Sequence, residues 1–250
     1  MEVWYVVLTF LVIILLGLRS RVSYVSEISR DDFDSYVINL KTNKDRRDYI
    51  SSEYNKSDLV SKPFVLVEAV DGRTGDIKEF VTQRVREGLQ KIEETGKRVS
   101  HDHLTRGMVG CYLSHLKVLE MIKSSSKPYG LVLEDDASFP EDVYTKHIKN
   151  ALLTMPEDWD VILLGRWPLE EMNEKTYVKV NKFWGTHGYL VNRQGAEKII
   201  KHGGAPIDDQ IDGAMGALAR QGVLKIYAPY RNVIRVNTGL QSQVQMNVSN

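Results

Sequence analysis

A single cysteine, Cys111, stands among 250 residues. One thiol excludes an intrachain disulfide and any zinc site made of several cysteines, and it fits a reducing compartment. Net charge is missing as well: 33 Lys and Arg balance 33 Asp and Glu. A chain without a basic field is not expected to bind nucleic acid. Neither an internal repeat nor a low-complexity block is present, which excludes repeat arrays. Long hydrophobic runs are nearly absent. Residues 3–18 form one uncharged run, interrupted only by Thr9 and Gly17. The remainder has the balance of an ordinary globular protein, 42% hydrophobic and 26% charged, and is long enough for one large α/β domain or two small ones.

The apolar run holds 16 residues. As a helix it spans roughly 24 Å, slightly under a hydrocarbon core of about 30 Å. Trp4 and Tyr5 at one end and Arg19 and Arg21 at the other suit the two interfaces. Glu2 replaces the basic start of a signal peptide, and no small-x-small cleavage site follows. An uncleaved single-pass membrane anchor is therefore expected over residues 1–21, with a polar linker over 22–35. Arg19 and Arg21 favour a cytoplasmic domain. The tripeptides Asn55-Lys56-Ser57 and Asn247-Val248-Ser249 favour the opposite side, so the side stays open.

Residues 36–40, Tyr-Val-Ile-Asn-Leu, predict a buried strand. Asn43 predicts the N-cap of a helix to about Asn55. Residues 64–70 predict a second strand, stopped by the turn pair Asp71-Gly72. This β-α-β order predicts an α/β fold with a mostly parallel sheet. The charged stretch 76–103 predicts a helix broken near Thr95-Gly96-Lys97, either a lid or a solvated surface helix. Thr105 caps a helix over 107–123, whose apolar stripe is Val109, Tyr112, Leu113, Leu116 and Leu119. Gly110, Ser114 and Lys117 share another face, which either admits a phosphate or sugar or packs tightly on the sheet. Later strands are expected at 160–165, 177–180, 186–191 and 223–228, and helices to about 153, over 193–202 and to about 220. The domain is expected over 36–236, followed by a polar tail over 237–250.

Between the helix at 107–123 and the next lies Leu131-Val132-Leu133-Glu134-Asp135-Asp136. A short all-apolar run after Pro128-Tyr129-Gly130 predicts a strand buried on both faces. Carboxylates at its end then sit at the mouth of the sheet, where open α/β folds place ligands. Three adjacent acids repel unless a cation or hydrogen-bond donors neutralise them. A hard divalent ion carrying a phosphate-bearing substrate is one explanation, and a solvated acidic turn is the other. A second acidic pair, Asp208-Asp209, follows Gly203-Gly204-Ala205-Pro206.

Five ordered stretches resemble glycosyltransferase family 25, which contains bacterial lipooligosaccharide galactosyltransferases and animal collagen galactosyltransferases. Val37-Ile38-Asn39-Leu40 with Asp45-Arg46-Arg47 is similar to the opening strand and its basic helix start. Ala69-Val70-Asp71-Gly72 is similar to the second strand end. Gly107, then Gly110-Cys111-Tyr112-Leu113-Ser114-His115, resembles the Gly-x-x-Gly-Cys-x-x-Ser-His helix. Leu133-Glu134-Asp135-Asp136 resembles the acid cluster. Gly185-Thr186-His187-Gly188, Gly195-Ala196 and Pro206-Ile207-Asp208 continue the likeness, which covers about residues 36–210. One departure is clear: Arg106-Gly107-Met108 stands where the family commonly has Pro-Gly-Glu.

The resemblance implies a GT-A-like, Rossmann-type domain that moves a hexose, galactose or glucose, from a UDP-linked donor to a glycan, lipid or protein hydroxyl. It implies an Mn²⁺ or Mg²⁺ ion held by Glu134 and Asp136, with Asp208 as a further ligand or as the base that takes the acceptor proton, and Asp209 the next candidate base. Asp135 is implied on metal or ribose, and His187 either completes the sphere or is a hydrogen-bonded core group. Asn39, Arg46 and Asp71 are implied to face the nucleotide, and Gly110, Ser114, His115 and Lys117 to line the donor pocket. Two other readings remain: an inactive glycan-binding relative at a membrane, and a metal-dependent phosphoryl or nucleotidyl enzyme.

Overall fold

The structure, a computed structural model, describes residues 29–98, 100, 103–167, 177–240 and 242. The membrane anchor expected over 1–21 lies outside the described residues. Among the described residues no helix is long and apolar enough to cross a membrane.

Strand β1 (Phe33–Asn39) opens the fold. It begins three residues before the expected position because Phe33 is buried and stacks on Tyr129 at 5.8 Å. Its side chains alternate between two cores: Phe33 and Val37 pack on one face of the sheet, Tyr36 and Ile38 on the other. Helix α1 (Lys44–Lys56) follows, with the Asn43 side chain accepting from the Arg46 N–H as its N-cap. Strand β2 (Val65–Glu68) lies parallel to β1. Helix α2 (Gln83–Thr95) is capped by Thr82 and closed by Gly96 at φ 67°, a left-handed position that glycine adopts freely. It buries Val85, Gly88, Leu89 and Ile92, so it is packed onto the domain.

Helix α3 (Arg106–Ser124) leads into β3 (Tyr129–Glu134). A short strand β4 (Ala137–Ser138) and a wide helical turn, Val143–Ile148, precede α4 (Lys149–Thr154). Strands β5 (Val161–Leu163), β6 (Tyr177–Lys179) and β7 (Gly188–Asn192), helices α5 (Arg193–Gly203) and α6 (Ile211–Arg220), and strands β8 (Ile226–Pro229) and β9 (Arg235–Val236) complete it. Helix α6 starts only at Ile211, past the Asp208-Asp209 pair, because Ile207 is drawn into a parallel bridge with Val81. The end of the domain is likewise tied down: β9 pairs with β4, and the Asn237 N–H donates to the Asp136 carbonyl.

The main sheet has the order β2-β1-β3-β7-β5-β8-β6. Strands β2, β1, β3, β5 and β8 share one direction, as a mostly parallel sheet requires, while β7 and β6 run against their neighbours. Helices α2, α3, α5 and α6 cover one face, and α1 with the 143–154 segment covers the other. Burial on both faces explains the unbroken apolar runs of β3, β5 and β7. The carboxyl ends of β1, β2 and β3 therefore meet at one edge, and the start of β7 joins them there through the Leu133–Gly188 pair.

The face of α3 that carries Gly110, Ser114 and Lys117 grips the end of β2. The Ser114 hydroxyl donates to the Gly110 carbonyl and accepts from the Val70 N–H at 2.8 Å, while Lys117 donates to the Glu68 carbonyl. A Cβ on Gly110 would lie 2.5 Å from the Val70 carbonyl oxygen and 2.6 Å from the Gly72 nitrogen. Both neighbours are backbone and cannot swing aside. Gly110→Ala is thus expected to cost about 1–3 kcal/mol, the usual range for overpacking, measured as a lower urea midpoint.

Candidate active site

A cleft of about 720 Å³ opens at the carboxyl edge of β1, β2 and β3. Asn39, Arg46, Asp71, Ser114, His115, Glu134, Asp135, Asp136 and Asp209 all line it. Its described lining carries six carboxylates (Asp71, Glu134, Asp135, Asp136, Asp209, Asp212) against the three guanidinium groups of Arg46, Arg73 and Arg98. That surplus of negative charge favours a cation before it favours a diphosphate.

The centre is Arg46. It projects from the first turn of α1, is buried with Asp135, and reaches the partly buried Asp136 beside it. Its Nε donates to Asp135 Oδ1 at 2.7 Å, and its Nη2 lies 2.6 Å from Asp135 Oδ1 and 2.6 Å from Asp136 Oδ2. Asn39 Nδ2 donates to the other Asp135 oxygen at 2.7 Å. Both Asp135 oxygens are therefore engaged by this chain. Asp136 differs: its Oδ1 is buried and has no hydrogen-bond partner among the described residues. Burial, then the nearby Glu134 charge, pushes the Asp136 carboxyl up to about 6 despite Arg46.

Glu134 closes β3 beside helix α3. Thr186 donates to its Oε1 at 2.7 Å, and His115 Nε2 lies 3.4 Å from the same oxygen. Burial would raise this carboxyl, but its bonds to His115 and Thr186 outweigh burial and hold it at about 2. His115 is fully buried, with Nδ1 3.0 Å from the Tyr189 hydroxyl. On the facing wall Asp209 is exposed, and the first turn of α6 supplies Asp212. Asp212 is nearly buried and accepts the Gly185 and Gly213 N–H groups at 2.8 Å each. Burial raises its carboxyl, which those two bonds only partly counter.

Other residues expected at the site lie elsewhere. The Asp208 carboxylate faces away from the cleft lining and is bound by Arg84 Nε at 3.1 Å and by the Thr82 hydroxyl. It is separated from Glu134 and Asp136 because Ile207 is pinned to Val81, which turns Asp208 toward α2 and leaves Asp209 to face the cleft. His187 is buried against Gly165 and Gly185 with a hydrogen bond to the Ile234 backbone, outside the cleft lining. Gly110 and Lys117 are also outside it, engaged with the end of β2. Asp71 does line the cleft, but Arg73 binds both of its oxygens, at 2.8 and 2.9 Å, and that contact lowers its pKa.

Three features were not foreseen from sequence. Asp212 hides behind Asp208 and Asp209, although its place at the start of a helix marks it as a residue fixed by backbone N–H groups. Trp167 and Trp184 pair backbone to backbone and stand half-exposed on the rim. Arg106, at the position of the departure, donates to the Gly72 and Gly75 carbonyls at 2.8 and 2.6 Å and pairs with Glu93. It clamps the 71–75 loop that forms one lip of the cleft.

Fold and site together define an α/β protein with an acidic cleft at the carboxyl edge of its mostly parallel sheet. The chain belongs to glycosyltransferase family 25: residues 33–212 match the model described as "Glycosyltransferase family 25 (LPS biosynthesis protein)". Procollagen galactosyltransferase 2 of Homo sapiens is 27% identical over 175 residues, 66% of this chain and 27% of that protein. Procollagen galactosyltransferase 1-A of Xenopus laevis is 31% identical over 199 residues, 74% of this chain and 31% of that protein. The probable inactive glycosyltransferase 25 family member 3 of Rattus norvegicus is 28% identical over 199 residues, 72% of this chain and 33% of that protein. The chain thus spans about a third or less of these relatives. Among solved structures, UDP-glucose pyrophosphorylase from Acinetobacter baumanii superposes with a TM-score of 0.40 at 10% identity, over 79% of this chain and 85% of that one, a likeness too loose to carry an argument.

Proposed function

We propose that this chain is a metal-assisted hexosyltransferase that uses a nucleotide-sugar donor, UDP-linked, and that an N-terminal anchor over residues 1–21 holds it at a membrane. The observation that carries the reading is the uncommitted Asp136 Oδ1, buried at the head of an acidic cleft. A carboxylate oxygen without donors fits a hard divalent ion, Mn²⁺ or Mg²⁺, and Asp136 with Glu134 would hold it. Such an ion, when bound, neutralises charge on the departing diphosphate.

The chain's own residues supply the rest. Arg46 and Asn39 fix Asp135 and orient Asp136, so that one oxygen stays free for the ion. Arg73 and Arg98 line the same cleft and lower the cost of bringing in a diphosphate. Asp209, exposed on the facing wall, is the base: it takes the proton of the acceptor hydroxyl as that oxygen bonds the anomeric carbon and the carbon–phosphate oxygen bond breaks. A single displacement of this kind inverts the anomeric centre. The relatives' names make galactose the first sugar to test, and a glycan, lipid or protein hydroxyl is the acceptor class.

The test is metal-dependent release of UDP by the full chain in detergent, across UDP-galactose, UDP-glucose and other UDP-sugars. Turnover of at least one donor that stops on chelation is expected. Phosphate release from UDP without a sugar would replace the reading with phosphoryl chemistry. Glycan binding that ignores both metal and nucleotide would make the chain an inactive binder, as the rat relative is described.

A further inference from the structure

One group in the cleft, Cys111, has no role in the sugar transfer proposed above. Cys111 lies four residues before His115 on α3, so both face one side of the helix, toward Glu134 at the end of β3. A sulfur, an imidazole nitrogen and a carboxylate oxygen from these three residues all lie within 4.8 Å of one another. We propose that Cys111, His115 and Glu134 form a binding site for a thiophilic divalent ion of the zinc class.

Ligand atoms around a tetrahedral zinc ion stand about 3.5 Å apart. His115 Nε2 and Glu134 Oε1 are already 3.4 Å apart, and the Cys111 sulfur lies within 4.8 Å of a ligand atom of each. The surrounding groups are arranged as they are around metal-bound residues elsewhere. The Tyr189 hydroxyl holds His115 Nδ1 at 3.0 Å, which leaves Nε2 directed at Glu134, and the Thr186 hydroxyl fixes Glu134 Oε1 at 2.7 Å. All three ligands line the cleft, so an ion reaches them from solvent and keeps a fourth position facing the cavity. The donor set also sorts the metals. Sulfur and imidazole select zinc or cobalt, whereas the all-oxygen position at Asp136 selects manganese or magnesium. On binding, the sulfur–metal bond replaces the S–H bond and the nitrogen–metal bond replaces the Nε2–H bond that faces Glu134; the thiol proton leaves to solvent, and the imidazole keeps one proton on Nδ1, donated to the Tyr189 hydroxyl. Because Glu134 is common to both positions, zinc is expected to inhibit the manganese-supported reaction.

Cobalt is the probe. Titration of Co²⁺ into the full chain is expected to raise a thiolate-to-cobalt charge-transfer band in the near ultraviolet that saturates at one equivalent and is displaced by Zn²⁺ but not by equal Mn²⁺. Cys111→Ser and Cys111→Ala should both lose the band while circular dichroism and Mn²⁺ binding, read by electron paramagnetic resonance, persist. Tyr189→Phe should weaken cobalt binding roughly tenfold or more, as loss of a hydrogen-bond partner behind a metal ligand does. Absence of the band in the unmodified chain, or a band unchanged in both cysteine variants, overturns the site and leaves Cys111 a small helix residue beside a purely hydrogen-bonded His115. The readout needs no sugar donor, so it stands or falls independently of the transferase reading.

Discussion

Asp136→Asn is expected to slow metal-dependent sugar transfer about 10²–10³-fold and to make the metal-free protein more stable. The first effect follows from the loss of a buried carboxylate oxygen that no described residue engages. An amide in that place binds a hard cation weakly, and removing one group that stabilises developing charge typically costs about 10²–10³ in rate. The second effect follows from burial. The Asp136 carboxyl is pushed up to about 6 in the folded chain, above its ordinary value near 3.8. A carboxyl raised by folding contributes stability that is fully present below the unfolded value and is lost as pH rises through the folded one. The window runs from about pH 4 to about pH 6, and the penalty above it is about 1–3 kcal/mol, since one unit is worth about 1.4 kcal/mol. Asparagine carries no charge to be penalised. Its melting temperature at pH 7 should exceed that of the unmodified chain, with the slope between pH 4 and 6 flattened. A variant that is both active and no more stable would remove Asp136 from the site.

Arg46→Met should act in the opposite direction. Its guanidinium is the direct partner of Asp135 and Asp136, and it is buried with Asp135 while Asp136 is largely covered beside them. Breaking a buried pair by deleting one partner leaves an uncompensated charge and costs about 3–5 kcal/mol. For a domain of this size that is a fall in melting temperature of roughly 6–20 °C. Two further measurements separate this cause from lost packing. Adding Asp136→Asn to Arg46→Met should restore part of the loss, because one of the stranded charges is gone. Mn²⁺ should raise the melting temperature of Arg46→Met more than that of the unmodified chain, because the ion takes over neutralisation of the same acids. Arg46→Lys should not rescue it, since an ammonium cannot span both carboxylates as the planar fork does. Equal losses in the single and double variants would show that packing alone is responsible.

Much of the frame was legible in the residues. Asn43 and Thr105 cap helices where the pattern places them, and the apolar runs at 36–39, 131–133 and 188–191 are buried strands. The acid triplet lies at a strand end beside Asn39 and Arg46, as local pattern and family resemblance require. Direction was harder. Strand β7 is apolar throughout and reads the same whichever way it runs, so its reversal between β3 and β5 leaves no mark on composition. The choice between Asp208 and Asp209 was hidden for a different reason. It depends on one bridge between Val81 and Ile207, about 126 positions apart in the chain, which rotates the first acid outward and the second inward. Helix α3 shows a third limit. Its buried face includes Ser114, His115 and Val118, whereas Leu113 and Leu116 are only partly covered, because a helix pressed against both α5 and the end of β2 buries more than its most apolar stripe.

The reversal of β7 divides the domain's two rims for anyone who would alter it. The strand is entered through Gly185 and Thr186, which line the cleft, and leaves at Asn192 opposite Tyr129, where Arg193 ties to the Ser125 carbonyl. A reporter or cross-linking handle spliced into 125–128 would therefore sit at the base of the sheet, away from the cleft, whereas the same graft at 185–187 would disrupt the cleft wall. That base is the natural anchorage for immobilising this protein on a surface with its mouth facing outward.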